Sequence, residues 1–282
     1  MSPGRRLDAH DLVFGAFLLL MAGRLVAVEG IAGPHALVYL GLLAVHAAVL
    51  WAAPIWLRLS FYPFALQAAY FTLGPAMRAL QAPSVDDLLQ QIDHRVLGVN
   101  LSVALEPIAH PLLTDLMSAC YLLFFPYLIV THLDYFRGGI GTLRRFCTGL
   151  YTVYAGGLIG YALLPAAGPY VAMAGEFVRP LEGGWLTRIH QAIVVSGTNG
   201  VDVFPSLHCG VTGFLLFFDR RHSPRRYVAL LLPVAILWTS TIYLRYHYFV
   251  DVVAGFALSA LGLALAREPK ERRAVAPALW HH

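Results

Sequence analysis

Apolar residues recur along this chain in long runs, and polar residues gather in the intervals between them. Eight runs read as helices that cross the ~30 Å hydrocarbon layer of a bilayer: residues 11–28, 36–57, 61–80, 111–133, 146–165, 205–219, 227–244 and 248–266. The sixth is short, and only a turn separates the last two. The pattern predicts an all-α polytopic membrane protein with two N-terminal helices within 1–60 and a six-helix core over 61–268. Two long loops interrupt that core, at 81–110 and 166–204, and 269–282 forms a tail. In the first loop, acidic residues interleave with Leu88, Leu89, Ile92, Val96 and Leu97 at helical spacing, which predicts an amphipathic helix lying on the membrane surface. The second is rich in turn formers, among them Gly168, Pro169, Pro180, Gly183, Gly184 and Gly200.

Charge placement orients these segments. Arg5, Arg6 and Arg58, the 137–145 and 220–226 loops and the tail carry basic clusters, so an even number of spans puts all of them, and both termini, in the cytoplasm. The two long loops and the turn near 245–247 then face outside. Composition agrees with a membrane protein: 58% of the 282 residues are hydrophobic and 13% charged, against about 25% charged in a soluble domain. The net charge of +4 belongs to helix ends, and no stretch interleaves basic and aromatic residues as a nucleic-acid groove would. Lys270 is the only lysine in an alanine- and glycine-rich chain, as in a GC-rich bacterial genome, which points to a bacterial inner (plasma) membrane. The first run reads as a retained helix rather than a cleaved signal. Cys120, Cys147 and Cys209 lack metal-site spacing and read as packing residues.

Two polar signals break the apolar pattern, and both fall on the predicted outer face. Pro205-Ser206-Leu207-His208 opens the sixth run, with Pro205 read in its first helical turn, and Arg245-Tyr246-His247-Tyr248-Phe249-Val250-Asp251 opens the eighth. His247 and Asp251 are four positions apart, so on a helix they share a face and the carboxylate orients the imidazole. A helix start offers free N–H groups and the positive end of its dipole, which suits a phosphate. In that reading His247 attacks phosphorus, His208 protonates the leaving group and Asp251 fixes the tautomer. Ser206, Gly168, Arg179 and Arg245 are the candidates for holding the phosphate. Arg245 lies about 200° around a helix from His247, so it reaches the site only if the chain is not yet helical there; its other reading is a headgroup-level anchor.

These segments resemble the type 2 phosphatidic acid phosphatase superfamily, which also includes vanadium haloperoxidases. Its patterns are Lys, six residues, Arg-Pro; Pro-Ser-Gly-His; and Ser-Arg, five residues, His, three residues, Asp. Here Arg179-Pro180 stands with Ala172 in place of the lysine, Leu207 replaces the glycine, and Thr241 replaces the arginine before His247 and Asp251. Together with 164–169 and 92–100, these departures are similar to the branch containing inositol phosphorylceramide synthase and, more distantly, sphingomyelin synthase. The resemblance implies a cofactor-free, metal-independent transferase in which a phospholipid donor passes its phosphoryl-headgroup through His247 to a lipid or polyol alcohol. A lipid phosphate phosphatase, in which water resolves the same intermediate, remains the alternative. Fewer fixed cations favour a phosphodiester over a dianionic monoester. Two further classes stay in view. A proton relay in a transporter or flippase predicts inverted repeats, which are not visible; a facial triad of two histidines and a carboxylate predicts metal dependence.

Overall fold

A computed structural model of the protein describes residues 6–267, so the expected tail at 269–282 lies outside the described residues. The chain forms α1 (Ala9–Glu29), α2 (Pro34–Ala52), α3 (Ile55–Ala79), α4 (Asp86–Leu97), α5 (Leu101–Ala104), α6 (Pro111–Leu122) and α7 (Phe124–Arg137). It continues through α8 (Ile140–Leu163), α9 (Pro169–Ala172), α10 (Trp185–Gly197), α11 (Leu207–His222), α12 (Pro224–Tyr243) and α13 (Phe249–Leu265). Among the described residues there is no strand beyond an isolated bridge of Ala166 to Asp202. Among the described residues five elements are long and apolar enough to cross a membrane: α1, α2, α6 with α7, α8 and α12; α13 is a shorter apolar helix. The chain is an all-α polytopic membrane protein.

All eight predicted runs fall on helices, with instructive differences; the run at 36–57 crosses the break between α2 and α3, where Pro54 caps the start of α3. The run at 111–133 is divided at Leu123, because Pro126 has no N–H to give the carbonyl of Leu122 and its ring crowds that turn. Helix α11 starts at Leu207 with Ser206 as its cap, so Pro205 precedes the helix rather than opening its first turn. Outside the runs, α10 forms where only a turn-rich loop is expected; Gly183 and Gly184 end just before it, and Trp185, Ile189 and Ile193 make an exposed apolar face.

Helix α8 is the central post, packing against α1, α3, α11 and α13. In lipid the tails are as apolar as leucine, so helices associate through close packing and polar contacts rather than through escape from water. Small residues make that approach possible. A Cβ on Gly255 of α13 would lie 2.4 Å from the carbonyl oxygen of Ser206, where α11 begins. Gly255→Ala is therefore expected to push the two helix starts apart and cost about 1–3 kcal/mol, read as a lower midpoint of thermal unfolding in detergent. An unchanged midpoint would show that this contact is not tight.

Polar residues gather at the two ends of the bundle. At one end Asp219 of α11 accepts from Tyr127 at 2.9 Å, Tyr135 at 2.6 Å and both Nε and a terminal nitrogen of Arg226, at 2.7 and 2.6 Å. There too Arg58 pairs with Asp11, and Arg144 with Asp8 at 2.9 Å. The opposite end holds α4, α9, α10 and the starts of α11 and α13, and both motif histidines are found there.

Candidate active site

The position of His247 follows from how α12 ends. Arg245 has φ of 68°, and its N–H donates to the Ile242 carbonyl at 2.9 Å while the Tyr246 N–H donates to the Thr241 carbonyl at 3.1 Å. This is a Schellman C-cap with arginine in the left-handed position that glycine normally takes. The His247 N–H donates to the same Thr241 carbonyl at 3.0 Å, which sets the histidine just before α13. His247 is thus not on the helix, as the four-residue spacing predicts, but ahead of it: Tyr248 is the cap and Phe249 the first helical residue. The pairing survives because Asp251, in the first turn of α13, folds back. Its Oδ2 accepts from the Tyr248 N–H at 2.8 Å and lies 3.4 Å from His247 Nδ1. Both side chains are buried, at 3% and 0% exposure, and Nδ1 has no closer partner.

Two carboxylates of α4 hold this turn from the other side. Asp93 accepts from the N–H groups of Phe249 at 2.6 Å and Val250 at 2.9 Å, so it fills the start of α13. Burial raises its carboxyl above the ordinary aspartate value, and the two N–H bonds work against that rise. Asp86 accepts from the Tyr248 hydroxyl at 2.9 Å and from the N–H groups of Ala167 and Gly168, both at 2.8 Å. The helix forms where the amphipathic pattern predicts one, but Asp86 and Asp93 face the protein while Leu88 and Val96, like Asp87, face out. Their seven-residue spacing, two helical turns, is the sequence signal that points to this shared face.

His208 lies in the first turn of α11, half-buried, with Nδ1 3.3 Å from the Tyr121 hydroxyl. Its ring centroid is 6.0 Å from that of His247. The Ser206 N–H donates to the Asp251 carbonyl at 3.0 Å, which ties the two helix starts together. Thus Ser206, His208, His247 and Asp251 form one cluster. The other expected residues stand apart from it. The Gly168 N–H is engaged by Asp86, and the Arg179 side chain is exposed. Arg245 does approach through non-helical backbone, but its guanidinium bonds Glu106 at 3.3 Å and the Arg179 carbonyl at 2.8 Å, and covers the Phe177 ring at 3.9 Å. Desolvation lowers the Arg245 pKa, with Glu106 opposing.

One cavity reaches the cluster at His208, and a second is lined by Arg245 and Tyr246, the two residues before His247. One, of about 470 Å³, is mainly apolar and runs past Leu66, Phe125, Ile129 and Leu158 to His208. The other, of about 540 Å³, is lined by Tyr170, Arg179, Arg245 and Tyr246 among others. His190 of α10 lines both, and sequence reasoning does not single it out. Burial pushes its imidazole down to about 4, so it is uncharged near neutrality. A group with metal-ligand proximity, Asp8, His10 and Asp11, occurs at the opposite end, where Arg58 and Arg144 already meet the carboxylates.

The model of the family described as the PAP2 superfamily matches residues 88–265, which takes in every residue of this cluster. The chain belongs to the PAP2 superfamily. A stretch of 56 residues, 20% of this chain, is 43% identical to the inositol phosphorylceramide synthase catalytic subunit AUR1 of Saccharomyces cerevisiae. The match spans 14% of that relative's length. No solved structure matches the chain. The superfamily's phosphatases and phosphotransferases support an enzyme of lipid metabolism in the membrane, and the departures from the family's pattern acquire a local cause. Leu207 packs into the space above Gly157, where a Cβ would lie 2.5 Å from its Cδ2. Thr241 turns its hydroxyl back to the Trp238 carbonyl at 2.8 Å while its own carbonyl holds His247.

Proposed function

We propose that this protein is a phospholipid phosphotransferase that carries a phosphoryl-headgroup on His247 and passes it to an alcohol. The observation that carries the reading is the pairing of His208 and His247, 6.0 Å apart between ring centroids, with Asp251 beside the second. One phosphoester can touch both rings. With Nδ1 turned to Asp251, the Nε2 lone pair of His247 attacks phosphorus and the P–O bond to the lipid breaks. His208, whose Nδ1 is beside Tyr121, protonates the departing alkoxide through its other nitrogen and then takes the proton of the incoming hydroxyl. The apolar cavity that ends at His208 suits the donor's acyl chain. The charge pattern directs this end of the bundle to the outside of a bacterial inner membrane.

The similarity to an inositol phosphorylceramide synthase subunit favours transfer, while the same intermediate met by water makes a lipid phosphate phosphatase. Labelled phospholipid given to the purified full chain, with ceramide, diacylglycerol or inositol, separates the two. Labelled headgroup phosphate on an acceptor is expected, and release of only free phosphate or headgroup phosphate would remove the transferase reading. Exhaustive chelation is expected to leave the rate unchanged; loss restored by one metal ion would replace the histidine mechanism with a metal-assisted one.

A further inference from the structure

Three carboxylates around the cluster, Asp86, Asp93 and Asp251, are buried and accept backbone N–H groups. Asp202 is different. It lies half-buried in the segment before α11, on the wall of the apolar cavity that reaches His208. Its carboxylate accepts only hydroxyls, from Tyr70 and, at 2.7 Å, from Thr198, and both of those residues line the same cavity. Two neutral hydroxyls leave its negative charge in place. Among the described residues no arginine or histidine pairs with it. That charge is felt at the Tyr121 hydroxyl, which stands 3.3 Å from His208 Nδ1.

The two arginines expected to hold the phosphate do not offset this carboxylate: Arg245 pairs with Glu106, and the Arg179 side chain is exposed. A phosphoester that meets His208 and His247 therefore enters a field set by carboxylates, in surroundings where a unit charge counts for more than it does in water. A phosphate monoester brings close to two negative charges at neutral pH, and a diester only one. We propose that Asp202 is a specificity-determining residue, whose charge repels the second charge of a monoester and so restricts the cavity beside His208 to phosphodiesters. Scarce cations alone would bind a dianion weakly; a fixed anion turns it away. This role rests on the reading that a lipid phosphoester is opened between His208 and His247, and it holds whether an alcohol or water completes the reaction.

The test uses the full-length protein in detergent and measures diacylglycerol released from phosphatidate and from phosphatidylmethanol, a pair that differs by one methyl group and one charge. The wild type is expected to favour phosphatidylmethanol by about tenfold in kcat/KM, the scale of one charge–charge interaction at a partly buried site. Asp202→Asn keeps an acceptor oxygen and is expected to remove most of that preference, chiefly by raising the use of phosphatidate. Damage to packing would instead lower both substrates alike. Asp202→Glu is expected to retain the preference. Thr198→Lys leaves the carboxylate and sets a cation beside it, so it is expected to act like Asp202→Asn and replaces it if that variant fails to insert. A wild-type preference for phosphatidate, or a diester preference unchanged in the neutralised variant that folds, would overturn the role of Asp202. Release from neither lipid by the wild type would instead remove the phosphoester reading, and this role with it.

Discussion

His247→Ala is expected to lower turnover by roughly 10³-fold or more, the scale seen when a nucleophile is removed from a covalent mechanism, in protein that still inserts and folds. The side chain is buried but makes few contacts of its own: Nδ1 faces Asp251 at 3.4 Å, and the turn around it is held by backbone bonds to Thr241 that alanine preserves. The loss should be chemical rather than structural. His208→Ala gives the contrast that assigns the two roles. If His208 only delivers a proton to the leaving group, a donor with a good leaving group, such as a p-nitrophenyl phosphodiester, recovers most of the first step in that variant and none of it in His247→Ala. Recovery in both, or in neither, would mean that the roles are wrongly divided, and substantial activity in His247→Ala would mean that another group attacks phosphorus.

Asp86→Ala should produce the second large effect although the residue touches neither histidine. Its carboxylate receives the Tyr248 hydroxyl and two backbone N–H groups from the 166–168 segment. Removing it strands three donors in a buried place, at a cost of about 2–4 kcal/mol. Activity is expected to fall at least tenfold at temperatures where the protein is still folded, because Tyr248 is the cap of the helix that carries Asp251. Asp86→Asn keeps one acceptor oxygen and should fall between the two. Thermal unfolding in detergent together with kcat on the same preparation checks this. A destabilised variant with unchanged kcat would show that α4 supports the fold without placing the site.

How much of this was legible in the sequence divides along physical lines. Helix positions were, because long apolar runs in lipid leave the backbone no state but helix. The gathering of His208, His247 and Asp251 was, because two histidines and an aspartate at helix starts in apolar sequence are costly to keep without use. Whatever depended on tertiary direction was not. The glutamate that draws Arg245 away, Glu106, lies 139 positions upstream, and no local pattern announces that bond. The same holds for Gly168, whose positive φ of 90° and engaged N–H belong to a contact with Asp86, 82 positions away. His190 was silent because its place beside both cavities, with Ser118, Thr187 and Asp115 lined up behind it, appears only in the fold. Leu207 and Thr241 were visible as departures from the family's pattern, yet their packing against Gly157 and Trp238 appears only in three dimensions.

The acidic face of α4 also has a consequence for the order in which the protein is made. Asp86 and Asp93 leave the ribosome more than 150 residues before the Tyr248, Phe249 and Val250 groups they hold. The carboxylates that receive this turn are therefore made first, and His247, the nucleophile under the proposed mechanism, reaches them with the final described helix. On that mechanism, until the helix inserts His208 has a cavity beside it and nothing with which to open a phosphoester, and a nascent chain in the membrane is expected to be inert toward the lipids around it.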